Sequence, residues 1–210
     1  MVIVALIMAG GKGTRFGQKL EKPLAIFNGE SLLKRIIKAT KESKKITETY
    51  VVVTSYTPKT AKESKKASVK VIETDGKGYH ADLKQAVQKE KISSPVLILS
   101  SDLPFLNGKF LDEIITKYED SGKPALTVLV PIDIIQKYDL SAVSLYSYED
   151  MKYAVSGINV IDGKKILEEQ QQEVIVSTSP EAVFSVNSLR DLEIAKKYLD
   201  NTLGKNKNID

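Results

Sequence analysis

The chain contains no cysteine and a single histidine, His80, in 210 residues. The first absence excludes disulfides, thiolate nucleophiles and cysteine-bound zinc or iron–sulfur centres. The second excludes a multi-histidine metal site and leaves a Ser-His-Asp triad only one residue to be built around. Long apolar runs are also missing: "VIVALIMAGG" and "PVLIL" are the longest, far too short to cross a bilayer. No Pro/Gly/Ser-rich linker, internal repeat or cleavable apolar leader is visible. One domain over residues 1–203, a polar tail at 204–210 and a cytoplasmic location are therefore expected. The net charge of +4 tilts toward anionic partners. The lysine runs "KESKK" and "KESKKASVK" nevertheless read as solvated helix faces without interleaved aromatics, so no nucleic-acid partner is expected. Hard, oxygen-liganded Mg²⁺ is the metal this composition can still serve.

What the sequence does have is alternation. Apolar runs at residues 2–8, 49–54, 69–73, 96–99 and 126–130 are separated by segments with helical spacing. That pattern predicts an α/β fold, and the continuous apolar character of the early runs suits a parallel sheet covered on both faces. In the first connecting helix Ser31 is the expected N-cap, with Leu32, Leu33, Ile36, Ile37 and Ala39 forming the inner stripe. Between residues 143 and 176 the pieces "VSLYSY", "YAVSGINVI" and "EVIVST" predict a mixed or antiparallel addition. The chain then closes with a short strand and a helix capped near Asn187 or Ser188, its inner face expected to carry Leu189, Leu192, Ala195 and Leu199.

Ligands of open α/β sheets bind beyond the carboxyl ends of the strands, and the segments found there are "AGGKGTR", "SYTPKT", "TDGKGY" and "SSDLP". The first fits neither the P-loop pattern nor the G-x-G-x-x-G fingerprint, because Phe16 stands where the third glycine belongs. It still provides Gly10, Gly11 and Gly13, whose backbone can approach an anion closely, beside the cations Lys12, Arg15 and Lys22. A phosphate-binding loop and a tight strand-to-helix turn are both open readings. Gly76 and Gly78 invite close approach of backbone to a base or ribose, and Tyr79 and Asp82, three apart, are expected on one helix face. Asp102 ends the most apolar strand, where a carboxylate must be paired, hold a metal or cap a helix. Asn159 and Asn187 are neutral oxygen donors that could complete the cleft, or turn and capping residues. His80 reads as a surface or capping residue rather than a covalent phosphoryl carrier.

Together "AGGKGTR" and the following "KP" at Lys22 resemble the signature of nucleotidyltransferases that join a nucleoside monophosphate to a phosphorylated acceptor. The blocks "EKPL", "TPKT", "DGKGYHADL", "SSDL", "GINV" and "VNSLRDLEIA" resemble the archaeal adenosylcobinamide-phosphate guanylyltransferases and span nearly the whole chain. Molybdenum-cofactor guanylyltransferases are similar at the first loop and the last block, but usually begin "GGRSxRMGxDK". Sugar-1-phosphate nucleotidyltransferases share "GTR" and "KP", yet commonly carry a second acidic metal ligand where this chain has Asn187. The resemblance implies a single-domain, Rossmann-like three-layer α/β/α fold with a mostly parallel mixed central sheet. It implies an archaeal source, transfer of GMP from GTP to a phosphorylated corrinoid, and Mg²⁺ on Asp102 and Asn187. Arg15, Lys22 and Asp102 are then the catalytic residues. Leu6, Ala9, Gly10, Gly11, Lys12, Gly13, Thr14, Ser55, Thr57, Asp75, Gly76, Gly78 and Ser101 are the nucleotide-binding set, with Asp75 as the acceptor for guanine. Tyr79, Asp82 and Asn159 are expected toward the acceptor, which is placed near residues 141–153. A nucleotide-binding regulatory module is the alternative of a different class.

Overall fold

The apolar run at the start of the chain becomes β1 (Ile3–Met8), and a small hairpin follows, β2 (Ile26–Phe27) and β3 (Glu30–Ser31). The alternating section comprises α1 (Leu32–Glu42), β4 (Ile46–Val53), α2 (Pro58–Lys66), β5 (Lys70–Glu73), α3 (Tyr79–Lys89), β6 (Pro95–Ser100), α4 (Gly108–Ser121) and β7 (Ala125–Pro131). The rest is α5 (Ile132–Lys137), β8 (Leu145–Tyr148), β9 (Met151–Asp162), β10 (Gln172–Val176), α6 (Pro180–Val183) and α7 (Leu189–Asn206). The structure, a computed structural model, describes residues 2–16, 20–142 and 144–206.

The main sheet runs β10-β7-β9-β6-β1-β4-β5, with β8 added to β9. β1 is parallel to β4 and β6, β4 to β5, and β7 to β10. Only β9 reverses, antiparallel to β6, β7 and β8. The fold is thus the single-domain, mostly parallel mixed sheet that the alternation predicts. Ser31 caps α1, its hydroxyl accepting from the Lys34 N–H at 3.2 Å, and the five stripe residues are buried. The larger core covers one sheet face with α1, α4 and α7, whereas α3 supplies Leu83, Ala86 and Val87 to the smaller core on the other.

A bulge in β9 opens the sheet. Its last residues, from Ile158, pair with β6, but its first four pair with β8, and the β7 register shifts between Thr127 and Leu129. Gly157 sits at the break with φ +86°, where an added Cβ would lie 2.7 Å from the Ser100 Cβ. Only glycine fits both the dihedral and the space.

Three local expectations are corrected. Residues 184–187 form no strand; the Phe184 N–H donates to the Pro180 carbonyl at 3.2 Å and the Val186 N–H to the Asp102 carbonyl at 2.9 Å. Leu189 is exposed, because the inward position of the first turn of α7 is held by Asp191, which is fully buried and bonded to Ser188. The helix also continues to Asn206, past the expected boundary at 203. Val143, the expected start of "VSLYSY", lies outside the described residues.

Candidate active site

A cleft of about 600 Å³ lies at the carboxyl ends of β1, β4, β5 and β6. Ala9, Gly10, Gly11, Lys12, Gly13 and Thr14 line one side, Gly76 and Gly78 the other, and Lys22, Ser101 and Asn187 close one end. The glycine loop passes tightly over β4: a Cβ on Gly10 would come 2.5 Å from the Thr54 methyl, whose hydroxyl donates to the Gly10 carbonyl at 2.7 Å. Gly13 has φ +61° and turns the chain into a short 3-10 segment at residues 14–16. Lys12 Nζ stands 4.9 Å from the centre of the Tyr56 ring, a cation–π contact. The Arg15 side chain lies outside the described residues.

Lys22 is delivered by the turn Lys22–Leu24, which Glu21 pins to α2 by accepting from the Lys59 N–H at 2.9 Å and from Thr60. The Lys22 ammonium donates to Asp102 Oδ2 and lies 3.4 Å from Asn187 Oδ1. Asp102 is 2% exposed, and its Oδ1 is buried without a hydrogen-bond partner among the described residues. A buried carboxylate oxygen left unmatched is costly, so a cation could be held at this atom. Among the described residues no group of three acidic or histidine side chains could hold a metal. A cation here would rest on Asp102, the Asn187 carbonyl oxygen and ligands from outside the protein.

Several expected residues lie outside the cleft or, like Asp82 and Asn159, line a cavity while bonded to other parts of the protein. Leu6 is fully buried in the smaller core, and Thr57 is buried with its hydroxyl bonded to the Thr54 N–H. Ser55 is exposed and outside the cleft lining, because its neighbours Thr54 and Tyr56 take the inward positions. Asp75 is also outside that lining; Gln85 and Lys77 donate to its carboxylate, which holds it below the usual carboxylate range. Asp82 turns back onto its own loop, accepting from the N–H groups of Gly76 and Lys77 on Oδ1 and of Gly78 on Oδ2. Asn159 is in β9 rather than a turn and accepts from Thr127 at 2.7 Å.

Sequence reasoning missed Thr54, Tyr56, Thr74 and Lys77 in the cleft wall. It also missed Asp191, whose carboxylate accepts from the backbone of Ser141 and Asn187 and from the Ser188 hydroxyl, fixing Asn187. The S-x-x-D capping spacing of Ser188 and Asp191 is the signal that would have found it.

A second cavity of about 720 Å³ adjoins the first where β9 bulges away from β6. It is lined by Asn159, Ser156, Thr127, Tyr146 and residues 141, 142 and 144, within the region expected for the acceptor. Lys22, Tyr79, Ser100 and Asn187 line both cavities. Tyr79 is 43% exposed as a residue, but its phenol end is enclosed; burial, with the nearby Asp102 charge, pushes the hydroxyl up to about 12.

Residues 5–135 match the model of the MobA-like NTP transferase domain. The chain is 32% identical to the adenosylcobinamide-phosphate guanylyltransferase of Methanocaldococcus jannaschii, covering 93% of this chain and 96% of that one. It is 26% identical to a probable molybdenum cofactor guanylyltransferase of Thermococcus sibiricus, over 94% and 99% of the two chains. In structure it is similar to a CMP:2-keto-3-deoxy-manno-octonic acid synthetase complexed with CTP, with a TM-score of 0.68 at 15% identity over 96% and 98% of the chains. No helix among the described residues is long and apolar enough to cross a membrane.

Proposed function

Because the chain belongs to the MobA-like NTP transferase family, we propose that it transfers GMP from GTP to adenosylcobinamide phosphate, giving adenosylcobinamide-GDP and pyrophosphate. As a member it is a nucleotidyltransferase, and the relatives it matches over most of its length carry the names of guanylyltransferases. The observation that carries the reading is the meeting of two cavities at Lys22, Tyr79, Ser100 and Asn187. One has the glycine-walled, cationic character that a triphosphate needs, and the other has room for a second substrate.

In this reading an oxygen of the acceptor's phosphate attacks the α-phosphorus of GTP, the bond to the bridging oxygen breaks, and pyrophosphate leaves with the electron pair. The attacking oxygen is already ionised at neutral pH, so no general base is required of a chain with one histidine and no cysteine. The protein's part is alignment and charge stabilisation. Amides of residues 10–13 with Lys12 and Arg15 hold the triphosphate, and Lys22 meets the charge growing on the α-phosphoryl oxygens. Asp102, with its unmatched buried oxygen, and Asn187 suit a hard cation. Mg²⁺ held there would supply positive charge to the phosphate oxygens. Until substrates bind, the Lys22–Asp102 pair keeps both charges matched.

The test is pyrophosphate release in Mg²⁺, with GTP, ATP, CTP and UTP each crossed against adenosylcobinamide phosphate, molybdopterin and sugar 1-phosphates, and product masses checked. Turnover confined to GTP and the corrinoid phosphate is expected. Turnover with another pair keeps the transferase and replaces its substrates, and nucleotide binding without any turnover favours the regulatory module.

A further inference from the structure

The loop between β5 and α3 carries an arrangement that the phosphate chemistry does not use. Asp82 is 8% exposed, and its carboxylate accepts from three successive backbone N–H groups, those of Gly76 at 2.9 Å, Lys77 at 3.3 Å and Gly78 at 3.3 Å. To bring these donors onto one carboxylate the backbone takes φ +71° at Gly76 and +117° at Gly78, values that favour glycine. Gly76 lies against the Tyr56 ring, with 2.9 Å from an ideal Cβ to Cε2. Among the described residues nothing donates to the carbonyls of Gly76 and Lys77. Both residues line the first cleft.

We propose that Asp82 is the positioning residue that sets the base preference of this cleft: it draws the N–H groups of residues 76–78 inward and leaves the Gly76 and Lys77 carbonyls to face the base. The inference rests on the guanylyltransferase reading above. A cleft wall that offers acceptors and withholds donors discriminates between purines by their hydrogen-bonding edges. Guanine presents two adjacent donors, N1–H and the 2-amino group, whereas adenine presents an acceptor at N1. An adenine N1 lone pair set against a backbone carbonyl gains no hydrogen bond and leaves both acceptors unmatched. Asp75, the carboxylate that the sequence nominates for this contact, is held by Lys77 and Gln85 instead. The role passes from an acidic side chain to backbone oxygens, with Asp82, itself on the cleft wall, acting through the loop.

The experiment measures dissociation constants of GTP, ITP and ATP by calorimetry without acceptor, for the unaltered protein and for Asp82→Asn. The amide side chain keeps one acceptor oxygen but sets an NH₂ against a backbone N–H, so the loop can no longer keep all three donors inward. For the unaltered protein GTP is expected to bind about tenfold more tightly than ITP, which lacks the 2-amino group, and more tightly still than ATP. In Asp82→Asn the GTP-to-ATP ratio should fall to within about threefold. An unaltered protein without preference for GTP overturns the guanine reading itself. A clear GTP preference that survives in Asp82→Asn overturns the inference alone, as does equal weakening of all three nucleotides, which a merely structural role would give. Asp82→Ser, which keeps an acceptor but is too short to span the loop, provides the same comparison if Asp82→Asn does not fold.

Discussion

Lys22 and Asp102 hold each other across 80 residues of sequence. With its nearly buried partner left charged and alone, Lys22→Ala is expected to destabilise the free protein by about 3 kcal/mol. The loss should be smaller when Asp102→Asn accompanies it; chemical denaturation of the two variants checks this. If the lysine meets transition-state charge, kcat of Lys22→Ala falls by about 10²-fold while the protein remains folded. An unchanged kcat would remove it from the chemistry. These two residues were legible because their types and positions after strands admit few uses. Asp82 and Asp75 were not: both are acidic and both flank the same glycines, and only the folded loop shows which one faces inward.

At the scale of elements, the scaffold behind the cleft is held by side chains that bond to the ends of neighbouring segments. Asp112 on α4 accepts from the Ser43 hydroxyl and from the Lys44 and Lys45 N–H groups in the loop between α1 and β4. Burial alone would raise its pKa, but these donors outweigh it and hold the carboxyl below its ordinary value. A depressed carboxylate contributes stability above its unfolded-state pKa and loses it as pH falls through the lower folded-state value. Asp112→Asn should therefore cost about 1–2 kcal/mol at neutral pH, and the difference should close in strong acid. Urea midpoints measured from pH 7 downward would show it; a constant difference would mean that charge plays no part. Helix α1 and its Ser31 cap could be read directly, since capping and apolar spacing are local. The β9 bulge could not, because the need for glycine at 157 comes from Ser100 on another strand.

For the whole molecule, the arrangement of two adjoining cavities makes a kinetic demand. Four residues line both, so on the proposed reading the two substrates are bound at once. Initial-rate plots with both substrates varied are expected to intersect, and label should not exchange between pyrophosphate and GTP when acceptor is absent. Parallel lines with rapid exchange would require a covalent nucleotidyl-enzyme and would overturn direct transfer.

The sequence by itself determined the α/β class, the strands around β1, the glycine loop and the placement of Lys22 and Asp102 at strand exits or beside them. Those features follow from periodicity, from the backbone freedom of glycine and from the cost of a charge at the end of an apolar strand, all of which act over a few residues. Tertiary structure alone decided that β9 lies between β6 and β7 and breaks at Gly157. It likewise put Tyr56 rather than Ser55 in the cleft and turned Asp82 onto the loop it orders. The break depends on Ser100 of another strand, and the inward turns of Tyr56 and Asp82 on how their short loops pack over the sheet edge. A steric limit supplied by a distant strand leaves no periodic trace in the chain that obeys it.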